Sequence, residues 1–482
     1  MVYVVKLGGD CNATAEAVDK SVDFVLANAK RRVVVTSAPG KRPCDEVKLT
    51  QLLYKAALDN MQRKDIVKKV EQRFSDILDP LGINFDVIEK EFDHLEEILS
   101  RFDINNPSHV DELKFFGERC QQYVIGEHLK NKGSKVKVVT PWNFGVIVEE
   151  DHGVIRFSPV SYKFIRDVYQ SLADDEILVT AGFGGYDKFG NLRTLPFGGT
   201  DVSAAHIARA IDAELYENVK CVDGYANIDP KLVKGTDLEK FVIHHEYVRF
   251  DEAIEASAGG ASVIHADALT PCKGNKNRKE IPIRVCNLYH PEKKGTIITD
   301  NVNHADINQK YINPNKFVTK KDGYYLVTIT DDAMINAQSY AAEVQLKLGA
   351  RHIPYAHISS SENSFTLAIH GESFGYDEKR LRDYKFEVEA LFPGAKVSYE
   401  SGISMICVVN SRTKTPGILA KAAVALGMNG INIEFVSQAK ERAMIFGVSS
   451  ELSERAVIEI AREFYSDKQY LPGLPKFSRN NE

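Results

Sequence analysis

Val2-Tyr3-Val4-Val5-Lys6-Leu7-Gly8-Gly9 is a β-branched run that stops on two glycines. The pattern predicts a strand over residues 2–7, since branched side chains pack well on a pleated surface. Residues 14–30 follow at helical spacing, with Ala17, Val18, Val22, Val25 and Leu26 on one face. Arg32 to Ser37 is a second buried-type strand, closed by Pro39-Gly40. Strand, helix and strand in that order predict a parallel sheet, because parallel neighbours need a crossover between them.

Outward from this unit, residues 50–100 read as charged helices and 111–131 as a further helix. Ile177–Thr180 is a strand that enters a glycine-rich stretch. Asp201–Asp212 reads as a helix with Ala204, Ile207, Ala208 and Ile211 inward, and residues 213–300 mix short strands, loops and a helix. Asp300–Asp322 is rich in Asn, Lys and Asp without apolar period, which predicts a link. Beyond it, strands Tyr324–Ile329 and Ser364–Ile369 with a helix over 333–348 form one small α+β unit. Strands Ile403–Val409 and Met444–Val448 with helices over 416–427 and 453–465 form a second of similar design. The last dozen residues read as a polar tail.

The 482 residues suggest about three domains. A net charge of −6 and an isoelectric point near 6.2, with no basic stripe, argue against nucleic acid as a partner. Seven scattered cysteines form no CxxC and no zinc-finger spacing, so free thiols in a reducing cytoplasm are expected rather than a disulfide framework or a metal site. No apolar run approaches the length of a membrane span.

Several short motifs carry chemistry. Lys6-Leu7-Gly8-Gly9 sets a cation before two residues that lack Cβ, so backbone N–H groups there can approach an anion. An ordinary strand-to-helix turn would use the same glycines. Ala181-Gly182-Phe183-Gly184-Gly185 and Gly198-Gly199-Thr200-Asp201 form two further glycine stretches, the second opening a helix. Helix N-termini bind phosphate, while Asp201 in the cap region could equally be a plain N-cap. Gly117-Glu118-Arg119, read as the start of a helix, offers a carboxylate for a substrate ammonium, or one favoured only by the helix dipole. Asp223-Gly224 and Asp229-Pro230-Lys231 by themselves indicate loops.

In order, Lys-x-Gly-Gly, Ser37-Ala38-Pro39-Gly40-Lys41-Arg42, Gly-Glu, Gly-Phe-x-Gly, Gly-Gly-Thr-Asp, Asp-Pro-Lys and Gly-Thr-Ile-Ile run over residues 4 to 298, and together they resemble the aspartate-kinase family. Thr50-Gln51-Leu52-Leu53-Tyr54, Tyr216-Glu217-Asn218 and Gly260-Ala261-Ser262-Val263-Ile264-His265 extend the likeness. Pro416-Gly417-Ile418-Leu419, Gly430-Ile431-Asn432-Ile433 and Val436-Ser437-Gln438 resemble that family's second ACT domain.

The resemblance implies an α/β fold: a three-layer α/β/α kinase domain with a mainly parallel sheet over 1–312, then two ferredoxin-like ACT domains over 313–395 and 396–470, and a tail over 471–482. Residues near 313–320 would be a leading strand shared with the second ACT unit. It implies ATP and Mg2+, phosphorylation of the β-carboxylate of L-aspartate on the way to lysine, threonine and methionine, an amino-acid effector, and a homodimer through the ACT domains. By position, Lys6 would stabilise phosphoryl charge and Asp201 would orient the reacting centre. Thr50, Glu118 and Thr200 would hold the amino acid. Gly8, Gly9, Ser37, Gly198 and Gly199 would line the phosphates, with Asp229 and Lys231 beside the nucleotide. The family's substrate-gripping arginine is Phe197 here, which leaves Arg119 or Arg193 to grip the carboxylate. The Thr-Ser after Lys-x-Gly-Gly is Asp10-Cys11, and the Thr-Asp before the adenine-side turn is Lys220-Cys221. A kinase for another amino acid or carboxylate, or a catalytically silent regulatory protein, are the alternatives.

Overall fold

The computed structural model describes residues 2–466 apart from 46, 60, 152, 197, 302–314, 333, 335–339, 351–354, 372–377, 411–416 and 439–442. The described chain divides into two compact units. The first holds residues 1–225, 244–254 and 262–302, and the second holds 226–243, 255–261 and 303–482. The segments 226–243 and 255–261, expected within the 1–312 region, thus group with the C-terminal part.

The first unit is built on an eight-stranded sheet. From one edge to the other its strands are Tyr247–Val248, Thr296–Ile298, Ile283–Asn287, Leu215–Lys220, Tyr3–Leu7, Arg31–Thr36, Glu176–Ala181 and Lys135–Val138. Every neighbouring pair is parallel except Ile283–Asn287 with Thr296–Ile298. Val4, Val5, Val33, Val34 and Val35 are fully buried, as strands covered on both faces require. The helix Ala15–Leu26 returns the chain between the first two strands, capped by Thr14 Oγ1, which accepts from Ala17 N at 3.2 Å. The strand Tyr3–Leu7 has Arg31–Thr36 on one side and Leu215–Lys220 on the other. The winding therefore reverses at this strand, and open α/β sheets bind ligands beyond the carboxyl ends of strands at such a point.

Three expectations are corrected. The helix read as 111–131 begins at Pro107, with Asn106 as its side-chain cap. Gly117-Glu118-Arg119 therefore sits in mid-helix and starts nothing. The helix read from Asp201 begins at Gly199, and its N-cap is Gly198 at φ 82°. Asp201 lies inside the first turn and caps nothing with its side chain. Residues 315–322, read as part of a link, begin a sixteen-residue strand, Asn315–Thr330. Pairing with Lys396–Asn410 along its length overrides the polar composition.

The second unit carries a six-stranded antiparallel sheet in the order His357–Ser360, Ser364–His370, Asn315–Thr330, Lys396–Asn410, Ala443–Ser449 and Phe435–Gln438. The long strand serves two cores. Val318 packs with Ile406, Val408, Ile418 and Leu426, whereas Val327 and Ile329 pack with Phe365, Leu367 and Val388. Helices run over Tyr340–Gly349, Glu378–Leu391, Ile418–Met428 and Ser453–Tyr465. The helix expected over 333–348 is described from Tyr340 onward, and the start of the helix expected over 416–427 and the tail 471–482 lie outside the described residues. Among the described residues no helix is long and apolar enough to cross a membrane.

Candidate active site

Four adjacent parallel strands, Leu215–Lys220, Tyr3–Leu7, Arg31–Thr36 and Glu176–Ala181, end together and release four loops. Backbone bonds tie these loops to one another. Gly8 N donates to Val219 O at 3.1 Å, Ser37 N to Leu7 O at 3.2 Å, Gly40 N to Gly9 O at 2.8 Å and Gly182 N to Thr36 O at 3.0 Å. Asn12 Nδ2 donates to Ser37 O at 3.0 Å. A Cβ on Gly40 would lie 2.6 Å from Gly9 C and 2.7 Å from Asp10 Oδ1, so only glycine lets the second loop rest on the first.

Helix Arg63–Leu78 holds this arrangement from behind. Its buried Arg73 donates to Gly40 O and pairs with Asp45 at 2.5 Å, and Asp45 also pairs with Arg42 at 3.0 Å.

The charges converge at Asp201. Lys6 Nζ lies 2.8 Å from Asp201 Oδ1 and Lys220 Nζ 3.4 Å from Oδ2, and His265 N also donates to Oδ2 at 3.4 Å. Burial by itself would raise the Asp201 carboxyl, but the charges of Lys6 and Lys220 and the hydrogen bonds from Lys6 and Asn218 hold it well below the ordinary carboxylate range. Burial pushes the Lys220 ammonium down, and Asp201 opposes that.

Glu118 is buried beneath the Ser37–Gly40 loop. A Cβ on the preceding Gly117 would meet Ala38 Cβ at 2.6 Å, so the helix can approach that closely only with glycine there. Burial pushes the Glu118 carboxyl up to about 8, against a hydrogen bond from Ala38 N–H and the charge of Lys6. Its Oε2 has no hydrogen-bond partner. Two basic side chains thus meet one buried carboxylate at the strand ends, a charge arrangement suited to a polyphosphate.

The site therefore brings together Lys6, Gly8, Gly9, Ser37, Glu118 and Asp201. Thr200 is buried beside the loop after Glu176–Ala181: a Cβ on Gly182 would meet Thr200 Cγ2 at 2.5 Å. Gly198, in the left-handed region, packs against His265, and Gly199 opens the helix. Thr50 lies in the first turn of Leu49–Leu58, half-buried. Arg119 pairs with Glu91 at 3.4 Å, and Arg193 pairs with Asp111 at 3.0 Å and Glu150 at 3.4 Å. Asp229 caps a short helix by accepting from Lys231 N at 2.9 Å, and both belong to the second unit. Phe197 lies outside the described residues.

Sequence reasoning missed three contributors. Lys220 was visible only as a departure from Thr-Asp, with nothing local to show that it faces Asp201. Arg73 sits in a charged helix with no motif. Phe183 adopts φ 72°, rare for a residue with Cβ, and its N–H donates to Ser203 Oγ at 3.1 Å.

Glycine at positions 8 and 9 lets neighbouring loops close on this turn beside Lys6, a compact cationic turn of the kind that suits a nucleotide's phosphates. A Cβ on Gly8 would crowd Val219 O at 3.1 Å, and one on Gly9 would crowd Ala38 O at 3.3 Å. Among the described residues no three His, Cys, Asp or Glu side chains form a metal-binding group.

The amino acid kinase family matches residues 1–287, and an ACT domain matches residues 406–464. Aspartokinase 3 of Bacillus subtilis is 27% identical over 468 residues, spanning 96% of this chain and 98% of that protein. The fold is also that of E. coli aspartokinase III, solved with aspartate and ADP in its R-state. That comparison gives a TM-score of 0.80 at 22% identity, over 96% of this chain and 99% of that one. The same enzyme solved with lysine and aspartate in its T-state gives a TM-score of 0.70 at 22% identity, over 96% and 100%.

Proposed function

The chain belongs to the amino acid kinase family, and from that premise we propose that it transfers the terminal phosphoryl group of ATP to the β-carboxylate of L-aspartate, giving 4-phospho-L-aspartate. The observation that carries this reading is the buried Lys6–Asp201–Lys220 cluster under the Gly8-Gly9 loop. Phosphoryl transfer asks a protein mainly for positioning and charge neutralisation.

In this reading Lys6 meets the negative charge of the transferred group. Asp201 fixes both lysines, so their ammonium groups are aimed before substrate arrives. Gly8, Gly9, Ser37, Gly198 and Gly199 line the phosphates, with the N–H groups of Gly8, Ser37 and Gly199 spent on carbonyls that hold the loops in shape, and a magnesium ion bound with the nucleotide would offset phosphate charge. Glu118, with its unpartnered Oε2, takes the substrate ammonium, and Thr50 and Thr200 complete the amino-acid pocket. Asp229 and Lys231 belong to the nucleotide side. The ACT pair binds an amino-acid effector and carries a homodimer contact, and the protein works in the cytoplasm.

Phe197 in place of the family's arginine favours a second reading, a kinase for another amino acid or carboxylate. A screen of ATP consumption across amino acids, with hydroxylamine to trap an acyl phosphate, separates the two. The aspartate reading requires an aspartyl hydroxamate. Ready phosphorylation of a different amino acid, with none of aspartate, selects the second.

A further inference from the structure

Two cysteines meet beside the glycine loop. Cys11 lies in the short turn Gly9–Asn12, and Cys221 follows Lys220 at the end of the strand Leu215–Lys220. The strands that lead to them are parallel neighbours, with Lys6 opposite Asn218 and Leu7 opposite Val219. Their exits place both thiols at one apolar cluster, with Cys11 inside it and Cys221 packed against it. Cys11 Sγ also lies 3.5 Å from Val219 O. Cys11 is fully buried, while Cys221 is half-buried and packs against the same apolar cluster.

We propose that Cys11 and Cys221 form a reversible intramolecular disulfide that disables the glycine loop, making the nucleotide site a thiol-oxidation site as well. The nucleotide part of this inference rests on the kinase reading above. The oxidant is a low-molecular-weight disulfide. Cys221, the more accessible thiol, attacks as thiolate. The Cys11 side chain holds the Cys221 thiol below its ordinary value, and Cys221 together with burial holds Cys11 above it. A bond forms from Cys221 sulfur to one external sulfur, the external S–S bond breaks, and the departing thiolate takes up the proton that Cys221 released. Cys11 then gives up its proton and attacks the Cys221 sulfur, expelling the second external thiol. The two protein thiols lose two electrons and two protons, and the external disulfide becomes two thiols.

Closure draws the sulfurs to about 2.05 Å and pulls Cys11 Sγ from its place 3.5 Å from Val219 O, taking the turn with it. The turn cannot move alone. Ser21 Oγ donates to Cys11 O at 2.8 Å, Gly8 N is bonded to Val219 O and Gly40 N to Gly9 O. On the other side, Cys221 adjoins Lys220, the second cation on Asp201. The displacement therefore reaches the phosphate-facing glycines and one lysine together.

The test uses the full-length protein, oxidised glutathione as oxidant and ADP as ligand. Peptide mapping without reductant should show a Cys11–Cys221 cross-link, with loss of two hydrogens in mass, and ADP affinity should fall about tenfold or more. Dithiothreitol should restore both. In Cys221→Ala the cross-link should vanish and ADP affinity should be the same before and after oxidant, while in Cys11→Ala the cross-link should vanish and Cys221 should stop at the mixed disulfide with glutathione, seen as its added mass. Absence of the linked peptide from wild type overturns the proposal, as does a cross-linked protein with unchanged ADP affinity. Equal loss of affinity on oxidation in Cys221→Ala also overturns it, and would point to another thiol such as the exposed Cys44. If reduced protein binds no ADP, the kinase reading fails instead, and the cross-link is still scored on its own.

Discussion

Lys6 Nζ and Asp201 Oδ1 stand 2.8 Å apart with both side chains almost wholly buried, although 195 positions, 201 minus 6, separate them in the chain. The pair holds a cation at the end of the central strand, facing the glycine loop. Lys220 is a second, weaker partner of the same carboxylate.

Lys6→Ala should cut phosphoryl transfer by about a hundredfold or more, several kcal/mol of barrier. Asp201 keeps Lys220, so the folded state should survive with a reduced melting temperature. Steady-state turnover together with circular dichroism checks both halves. Near-normal turnover would remove Lys6 from the mechanism.

Glu118 gives a pH signature. Its folded carboxyl, at about 8 because of burial, keeps a proton where the unfolded group, near 4.5, has lost it. Its contribution to stability is complete below the unfolded value and is lost as pH rises through about 8. Glu118→Gln cannot ionise. The melting temperature of wild type should therefore fall relative to Glu118→Gln between about pH 5 and about pH 8, and the offset should be flat above that. Apparent affinity of wild type for the amino-acid substrate should rise over the same interval, because an ammonium prefers the carboxylate. A pH-independent offset would mean that Glu118 is ionised throughout.

Gly40→Ala should weaken nucleotide binding. Its Cβ would have to displace Gly9 or Asp10, and forced overpacking of this kind costs about 1–3 kcal/mol. Gly349, with open space where a Cβ would sit, is the control. Equal ADP affinity for both alanine variants, measured by titration calorimetry, would show that the Gly40–Gly9 contact does not shape the site.

Phe197→Arg should lower the aspartate KM about tenfold to hundredfold if the pocket lacks only its clamp, the range expected of a charge-assisted bidentate contact. Arg193 is already engaged by Asp111 and Glu150, and Arg119 by Glu91. Arg193→Ala strips the buried Asp111 of its guanidinium, leaving Thr194 Oγ1 at 2.6 Å and the half-exposed Lys114 at 3.7 Å, so it should lower the melting temperature more than it changes KM. A raised aspartate KM at unchanged melting temperature would instead identify Arg193 as the clamp.

The sequence by itself determined what depends on near neighbours. The strand–helix–strand opening, the glycine turns at 8–9 and 198–199, and the alternation of small α+β units are written in local period and in residues that permit special backbone geometry. Lys6 and Asp201 were legible for the same reason, each sitting in a short motif. Only the tertiary structure decided which groups face each other. Lys220 meets Asp201, Arg73 grips Gly40 and Cys11 shares an apolar cluster with Cys221 because strands, helices and loops distant in sequence pack side by side, and no local pattern encodes the pairing of distant segments. The same cause turned the polar stretch at 315–322 into a strand, where pairing with Met405–Asn410 outweighed composition. It also moved Glu118 from a helix start to a buried mid-helix position, where desolvation, and not the helix dipole, sets its protonation.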